Sequence, residues 1–477
     1  MISRAIAQSY NIVKRRERGT AAMLAILALT ALLFVVLAVL WLSNGALYLS
    51  MRQKRIVALR ALAEAGLQYA YWQIVFNSAV PPQTYGPTAL GSGTFTVTVT
   101  DNSAQIAGTY KLVSTATISG ETLTYTRVID GASSVQVQGT VFEDLNYGGG
   151  AGRSYAVSAG APVNGATVEV YSAAGGYLSS TTTSAGAYTI TGLLANTTYT
   201  VRVVNSTVQS TRSGSTSSLV GVQTYRTNGS SGSAVAVTDH VGGEDPSKTD
   251  AAANSTNATL SSLTASGATP QSITTVTPAS TMTGVDFGYN FDTVVNKNDT
   301  GQGSLRQAIT NANALSNTGL AQSGKTAGVE NLLFMLPTGS AYSGSNASYA
   351  TAFSGGIASI TLASALPQIS DTLTLDATTQ SGWSSAPVIE LNGAGAGVSA
   401  YGLDVTAANS TIKGFVINRC ALAAIRLSGS ATGGTIQGCY LGTNSAGTAA
   451  LANQNGLLLQ TSGNTVGGTS ASQLCLL

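Results

Sequence analysis

The sequence predicts a mainly β protein carried on a long N-terminal helix. Three observations point there. An uninterrupted apolar run, 21–42, continues into an apolar stripe of helical spacing that reaches Phe76. From Thr94 onward, period-two alternation recurs between Gly, Ser and Asn turns. From Leu403, an apolar-x-apolar segment followed by Thr-apolar-x-Gly returns every 22–32 residues. With 477 residues the chain is long enough for about three domains.

Composition narrows the function classes. Charged residues make up 9% and aromatics 6%, with 54 glycines. A coiled coil or a charged disordered tail needs far more charge, and an ordinary globular enzyme carries about 25%. The net charge of +2 hides an asymmetry. Arg4, Lys14, Arg15, Arg16, Arg18, Arg52, Lys54, Arg55 and Arg60 crowd the start, and the remainder is mildly acidic. Nucleic acid is therefore not an expected partner of the bulk of the chain. His240 is the single histidine, and Cys420, Cys439 and Cys475 are the three cysteines. That supply argues against a His/Cys zinc centre, a Cys–His nucleophile pair and a disulfide framework. No cofactor is expected.

The run 21–42 matches the roughly 20 residues that span a bilayer as a helix, and exceeds the core of a signal peptide. Basic residues flank both ends, so charge alone does not orient it. Directly before it stands Lys14-Arg15-Arg16-Glu17-Arg18-Gly19-Thr20. This basic segment ending in Gly resembles the leader of type IV prepilins. The resemblance implies removal of 1–19 by a prepilin peptidase, with Gly19 as the last leader residue and Thr20 as the new N-terminus. It implies membrane lipid and other pilin or pseudopilin subunits as partners. Most members carry Glu at the fifth mature position, where this chain has Leu24. That Glu pairs with a neighbouring subunit's amino terminus in apolar surroundings, so its loss suits a minor pilin or pseudopilin at a filament tip. Ile56, Leu59, Leu62, Ala63, Gly66, Leu67 and Ala70 form the stripe that continues the helix over 20–80. The string Ala58 to Leu67 resembles the second half of the long helix in minor pilin-like proteins; an ordinary juxtamembrane helix is the alternative. Pro81-Pro82 stops the helix. Thr94–Thr100 and Tyr110–Val128, the latter broken at Ser-Gly-Glu, read as a three-strand meander in a small sheet over 85–130. The resemblance implies that this sheet packs on the helix.

Over 135–290 the clearest strands are Val137–Phe142, Ala166–Tyr171, Ala187–Thr191 and Tyr199–Val204, spaced as in an all-β sandwich. The segments from Gly139 to Asn146, Pro162 to Tyr171 and Gly186 to Leu193, closed by Val285-Asp286-Phe287-Gly288-Tyr289, resemble the B-type repeat domains of Gram-positive surface proteins. The resemblance implies a prealbumin-like sandwich used as a stalk. Some members bind calcium after the first strand. Here Asp144 and Asn146 supply two oxygens, and a Gly-rich run replaces the later acids, against the 6–8 oxygens that calcium takes. Others form Lys–Asn isopeptide bonds, but no Lys lies between Lys111 and Lys248. The Ser/Thr/Asn-rich stretch from Ser206 to Thr281 reads as a long insertion or flexible loop. Asp239, His240, Glu244 and Asp245 within it read as a solvated loop rather than metal ligands.

At 291–477 a new unit begins. Ser304 and Gln307 form a capping box for a helix from Leu305 to about Ala314, with Leu305, Ala308, Ile309 and Ala312 on one side. The string Gly303 to Ile309 resembles the cap helix that precedes right-handed parallel β-helices in large secreted proteins. A solenoid end exposes apolar rungs and strand edges that such a helix covers. Leu403–Val405 with Thr411–Gly414, Ile425–Leu427 with Thr435–Gly438, and Leu457–Leu459 with Thr465–Gly468 are the repeats. Ile357–Leu362, Thr372–Leu375 and Val388–Leu391 read as earlier coils. The chain stops on Leu474-Cys475-Leu476-Leu477 without a polar cap, which suggests an incomplete β-helix. Between Tyr401 and Leu477 the charged side chains are Asp404, Lys413, Arg419 and Arg426. They offer one candidate face but no paired carboxylates for glycoside hydrolysis. Cys420 and Cys439 read as buried fillers.

Taken together, these readings lead to the expectation of an inner-membrane, single-pass subunit whose bulk is extracytoplasmic, in the periplasm or on the cell surface. It would bear an adhesive β module for surface glycans or proteins and would lack catalysis. A membrane-tethered polysaccharide lyase or hydrolase, and an anchored stalk protein unrelated to pili, are the alternatives.

Overall fold

The computed structural model describes residues 2–76, 82–102, 109–130, 134–264, 267–322, 325–346 and 348–477; along the first helix, side chains are described from Leu27 to Ile74. The chain divides into two compact units, 1–132 and 133–477. It is mainly β, with many strands and a long first helix.

In the first unit, α1 (Ile2–Phe76) is 75 residues long, about 110 Å at the α-helical rise. Nothing in its sequence breaks it: Pro is absent, and Leu, Ala and Arg dominate. Pro81 of the expected stop lies outside the described residues. Among those residues α1 is the one helix long and apolar enough to cross a membrane, by length and composition, and its most apolar window has a mean hydropathy of 2.3 with none of it buried. The C-terminal half is different. Leu59, Leu62, Ala63, Leu67 and Ala70 are buried against Phe95, Val97, Val99, Leu112, Ala116 and Ile118, while Ile56 is half-buried. The opposing sheet has four antiparallel strands in the order β1 (Gln83–Leu90), β2 (Gly93–Asp101), β3 (Thr109–Ile118) and β4 (Glu121–Asp130). The three-strand expectation is thus corrected to four. The added strand β1 carries Pro87, which is tolerated because β1 lies at the sheet edge. The register indeed shifts between Tyr85 and Thr88. Glu64 accepts from Arg127 at 2.6 Å, tying α1 to β4.

The second unit begins with two sheets that share one apolar core, built from residues such as Val137, Val141, Val168, Val201, Phe287 and Tyr289. One sheet runs Ser272–Val276, Tyr199–Val203, Thr167–Ser172, Tyr177–Thr182. The other contains Val222–Asn228, Phe287–Asn290 and Ser134–Glu143 as inner strands, with Ala187–Leu194 also paired to the last. The reading of Ser206–Thr281 as a flexible insertion is corrected here. Val222–Asn228 lies inside one sheet and Ser272–Val276 completes the other. Polar Gln223, Thr224, Arg226 and Thr227 are buried there, which disguised the strand in the sequence.

The rest of the unit opens with Leu305–Ala314, a helix that buries Leu305, Ala308, Ile309 and Ala312 as expected. The capping box is only half formed. Ser304 Oγ accepts from Gln307 N at 3.2 Å, but the Gln307 side chain donates to Asn311 Oδ1 at 2.8 Å and Ser218 O at 3.2 Å. Ser304 N donates to Gly301 O instead. Three parallel ladders follow. The first stacks Leu332, Leu375, Ile412, Ile436 and Val466 in register. The second stacks Ile360, Leu391, Ile417 and Leu441, and the third Leu403, Ile425 and Leu457. The chain visits them in rotation, as in Thr411–Lys413, Phe415–Asn418, Ala423–Leu427, then Thr435–Gln437. The sequence reading had two strands per repeat there. The missed one, Phe415–Asn418, follows Thr411–Lys413 after the single residue Gly414, whose φ of +76° turns the corner.

A Cβ on Gly66 would lie 2.3 Å from Ser114 Oγ and 2.9 Å from Phe95. Gly66→Val is expected to destabilise the helix–sheet packing by about 1–3 kcal/mol. The measurement is thermal unfolding of the detergent-solubilised chain by circular dichroism. Gly45→Ala, where a Cβ meets nothing within 4 Å, is expected to leave the transition in place.

Candidate functional site

Gly19 and Thr20 lie within the helical backbone of α1. The residues flagged in the middle of the sequence are held in protein contacts. Asp144 follows the strand Ser134–Glu143 and is fully buried. Arg153 binds it with both Nε, 3.0 Å from Oδ2, and Nη2 on Oδ1. Burial pushes the Asp144 carboxyl up and Arg153 pulls it back. Asn146 Oδ1 accepts from Ala321 N at 3.0 Å. These oxygens therefore brace the chain. Among the described residues no group of three or more His, Cys, Asp or Glu is placed to hold a metal ion.

The solvated-loop reading fits exposed Asp239 but needs correction for His240, Glu244 and Asp245. His240 is half-buried, with Nε2 3.7 Å from Asp239 Oδ1 and Nδ1 3.8 Å from Glu244 Oε1. Burial, then Arg226, lower its pKa, so the ring is neutral at pH 7. Glu244 also pairs with Arg226, and Asp245 accepts from Ser247 Oγ at 2.7 Å. The loop is thus fastened to the strand Val222–Asn228.

Two buried arginines, not singled out from the sequence, organise this unit. Arg202 projects from the strand Tyr199–Val203 and is fully buried. It donates to Glu169 Oε2 at 2.9 Å, to Asp250 Oδ2 at 3.2 Å and to the carbonyls of Ala251 and Ala252. Asp250 in turn accepts from Gln271 N and Asn205 N, both at 2.8 Å. Burial nonetheless raises the Asp250 pKa. Arg212 is surrounded by three carboxylates: Asp292 at 2.7 Å, Glu330 at 3.0 Å and Glu143 at 3.6 Å. The Glu330 contact lacks hydrogen-bond alignment, leaving both its oxygens without a directed donor. Burial first, and then neighbouring Asp292, push the Glu330 pKa up, and Arg212 pulls it back. The alternation Tyr-Thr-Val-Arg-Val placed Arg202 off the apolar face, which is the available signal, but its partner acids come from distant segments.

On the parallel ladders the charges are distributed and do not gather on the one candidate face. Asp404 and Arg426 form a bidentate pair, at 2.7 and 2.6 Å, on the third ladder. The guanidinium also lies 4.2 Å from the Tyr401 ring centre. Arg419 faces Glu390 at 3.7 Å beside the second ladder, and Lys413 sits in register with Asp376 on the first. Asp376 is paired with Lys325 at 3.4 Å, and these charged side chains are spread over three ladders without forming a concentrated acid–base centre.

One cleft of about 140 Å³, partly open to solvent, has walls that include Pro246, Ser247, Asn296, Asn298, Pro337 and Tyr349. Asn298 Nδ2 donates to Ser247 O at 2.7 Å and Asn296 Nδ2 to Pro246 O at 2.8 Å. Tyr349 hydrogen-bonds Ser247 Oγ. These bonds hold the walls in place. The cleft joins three remote segments, which sequence spacing does not reveal.

Arg202→Met strands Glu169 and Asp250, and is expected to cost about 3–5 kcal/mol. Urea unfolding measures this, and limited proteolysis of the variant is expected to cut within 206–281. Glu330 supplies a pH test. Its folded pKa lies above the unfolded value of 4.5, so its contribution to stability is full below that pH and declines as pH rises. Glu330→Gln is expected to gain relative to wild type on the order of 1 kcal/mol per pH unit above that value, read from melts between pH 4 and 8. No protein-family model matches the chain, and no curated protein matches it either.

Proposed function

We propose that this chain is a minor pilin-like subunit, inserted in the inner membrane and processed after Gly19, that displays a binding module outside the cell. In this reading the paired sheets are a B-type β-sandwich serving as a stalk. The three parallel ladders are coils of a right-handed β-helix, capped by the helix Leu305–Ala314. Together they act as an adhesive surface without catalysis. The observation that carries the proposal is the division of labour along α1. Its stretch from Leu27 to Leu42 is apolar and unburied, while its C-terminal part packs Leu59, Leu62, Ala63, Gly66, Leu67 and Ala70 on an antiparallel sheet.

Chemistry supports the same reading. A lateral filament helix needs an apolar rod held to a soluble body by its own amphipathic continuation. Low charge leaves the ladders with Ser, Thr and Asn, which suit hydrogen bonding to neutral glycans or to protein surfaces. Prepilin peptidase, membrane lipid and other pilin or pseudopilin subunits are the partners this role requires.

Mass spectrometry of the chain recovered from its native membrane tests the proposal. The mature N-terminus is expected at Thr20, and Gly19→Leu is expected to retain the leader. An uncut leader in the wild-type chain overturns the reading.

A further inference from the structure

The cysteines divide into one isolated thiol and one pair. Tyr440 and Leu476 form a parallel bridge, closed by Leu476 N donating to Cys439 O at 2.9 Å and Leu441 N donating to Leu476 O at 2.8 Å. One residue back in the same register, Cys439 and Cys475 stand side by side on adjacent extended segments. Neighbouring segments of this kind lie about 4.8 Å apart, inside the span of about 4.4–6.8 Å between Cα atoms that a disulfide bridges. Register also sends both side chains to one face. Cys439 is fully buried in the core of the ladders, and Cys475 packs against that core while remaining partly exposed. Cys439 Sγ donates to Gln437 O at 3.3 Å and Cys475 Sγ to Ile436 O at 3.5 Å. Cys420 is buried elsewhere in the core, with its Sγ 3.6 Å from Asn418 O.

We propose that Cys439 and Cys475 form a disulfide that staples the final segment, 467–477, to the coil containing Tyr440. The oxidant is a low-molecular-weight or protein disulfide. The thiolate of Cys475 attacks one donor sulfur and releases the first donor thiol. Cys439 then loses its proton, attacks the Cys475 sulfur and releases the second. Two protein thiols are oxidised and one donor disulfide is reduced to two thiols. The order of attack follows from access and acidity. The contact with Cys439 lowers the Cys475 thiol to about 6, and the same contact together with burial holds Cys439 well above its usual value. Burial alone raises Cys420 to about 11, which leaves it outside the exchange. The disulfide is independent of the pilin reading, since it needs only an oxidising compartment or reagent.

The test uses the full chain and oxidised glutathione. After equilibration the protein is denatured, alkylated and digested with trypsin. Arg419 and Arg426 place Cys420 in one peptide, and no Lys or Arg follows Arg426, so Cys439 and Cys475 share the other. The expected result is one alkyl group on the Cys420 peptide and none on 427–477, with two appearing there after prior reduction. Cys439→Ser is expected to leave Cys475 carrying glutathione, and Cys475→Ser to leave Cys439 as a free thiol. Two alkyl groups on 427–477 in the oxidised sample, or a bond to Cys420, overturn the proposal. Should a serine variant not fold, the wild-type alkyl counts decide alone.

Discussion

Arg212 stands where the paired sheets meet the parallel ladders, and much of the second unit is organised around its charge. Glu143 ends the strand Ser134–Glu143, Asp292 follows Phe287–Asn290, and Glu330 begins the strand Glu330–Phe334. All three converge on one guanidinium within 3.6 Å. A chain with only 9% charged residues has few such groups to spend in its interior. Desolvating several ions together is costly and tolerates little misplacement. The cluster therefore specifies one arrangement of three segments. Arg202 acts similarly within the paired sheets, drawing Asp250 and its neighbours onto Glu169.

In the first unit the constraint is steric. Ala63, Gly66 and Ala70 keep α1 low on the sheet, and Gly66 sits directly over Ser114, Phe95 and Val97. Larger side chains there would lift the helix and break the contact of Leu62 and Leu67 with β2 and β3. About 110 Å of continuous helix far exceeds the roughly 30 Å of a bilayer core. The excess is what this contact uses. An apolar rod and a soluble sheet are thereby joined by one element, which is the feature on which the proposed display role rests.

The ladders illustrate how far pattern carries. Apolar residues at Leu403, Ile425 and Leu457 announced one stacked column, and Ile412, Ile436 and Val466 another. Stacking in parallel register demands the same residue type at the same place in each turn, so the repeat is visible in the sequence. Phe415–Asn418 escaped because a single glycine corner leaves no turn cluster to mark it. The segment 206–281 escaped for the opposite reason. Its strand Val222–Asn228 is polar and buried, with Arg226 bonded to Glu244 and to the Ile273 carbonyl. Alternation records hydrophobic burial only, and says nothing of a strand whose inward groups are satisfied by ion pairs.

By itself, then, the amino-acid order determined the long helix, its apolar and amphipathic halves, the helix Leu305–Ala314 and the columns of the ladders. Each depends on neighbours within a few residues or on a regular period, and hydrophobic spacing encodes both. The tertiary structure alone decided the fate of the polar residues. Asp144 met Arg153, Arg212 gathered three acids, and Cys439 came to lie beside Cys475. Those pairings cross from 9 to 118 positions of chain, and a polar side chain carries no period that announces a partner so far away.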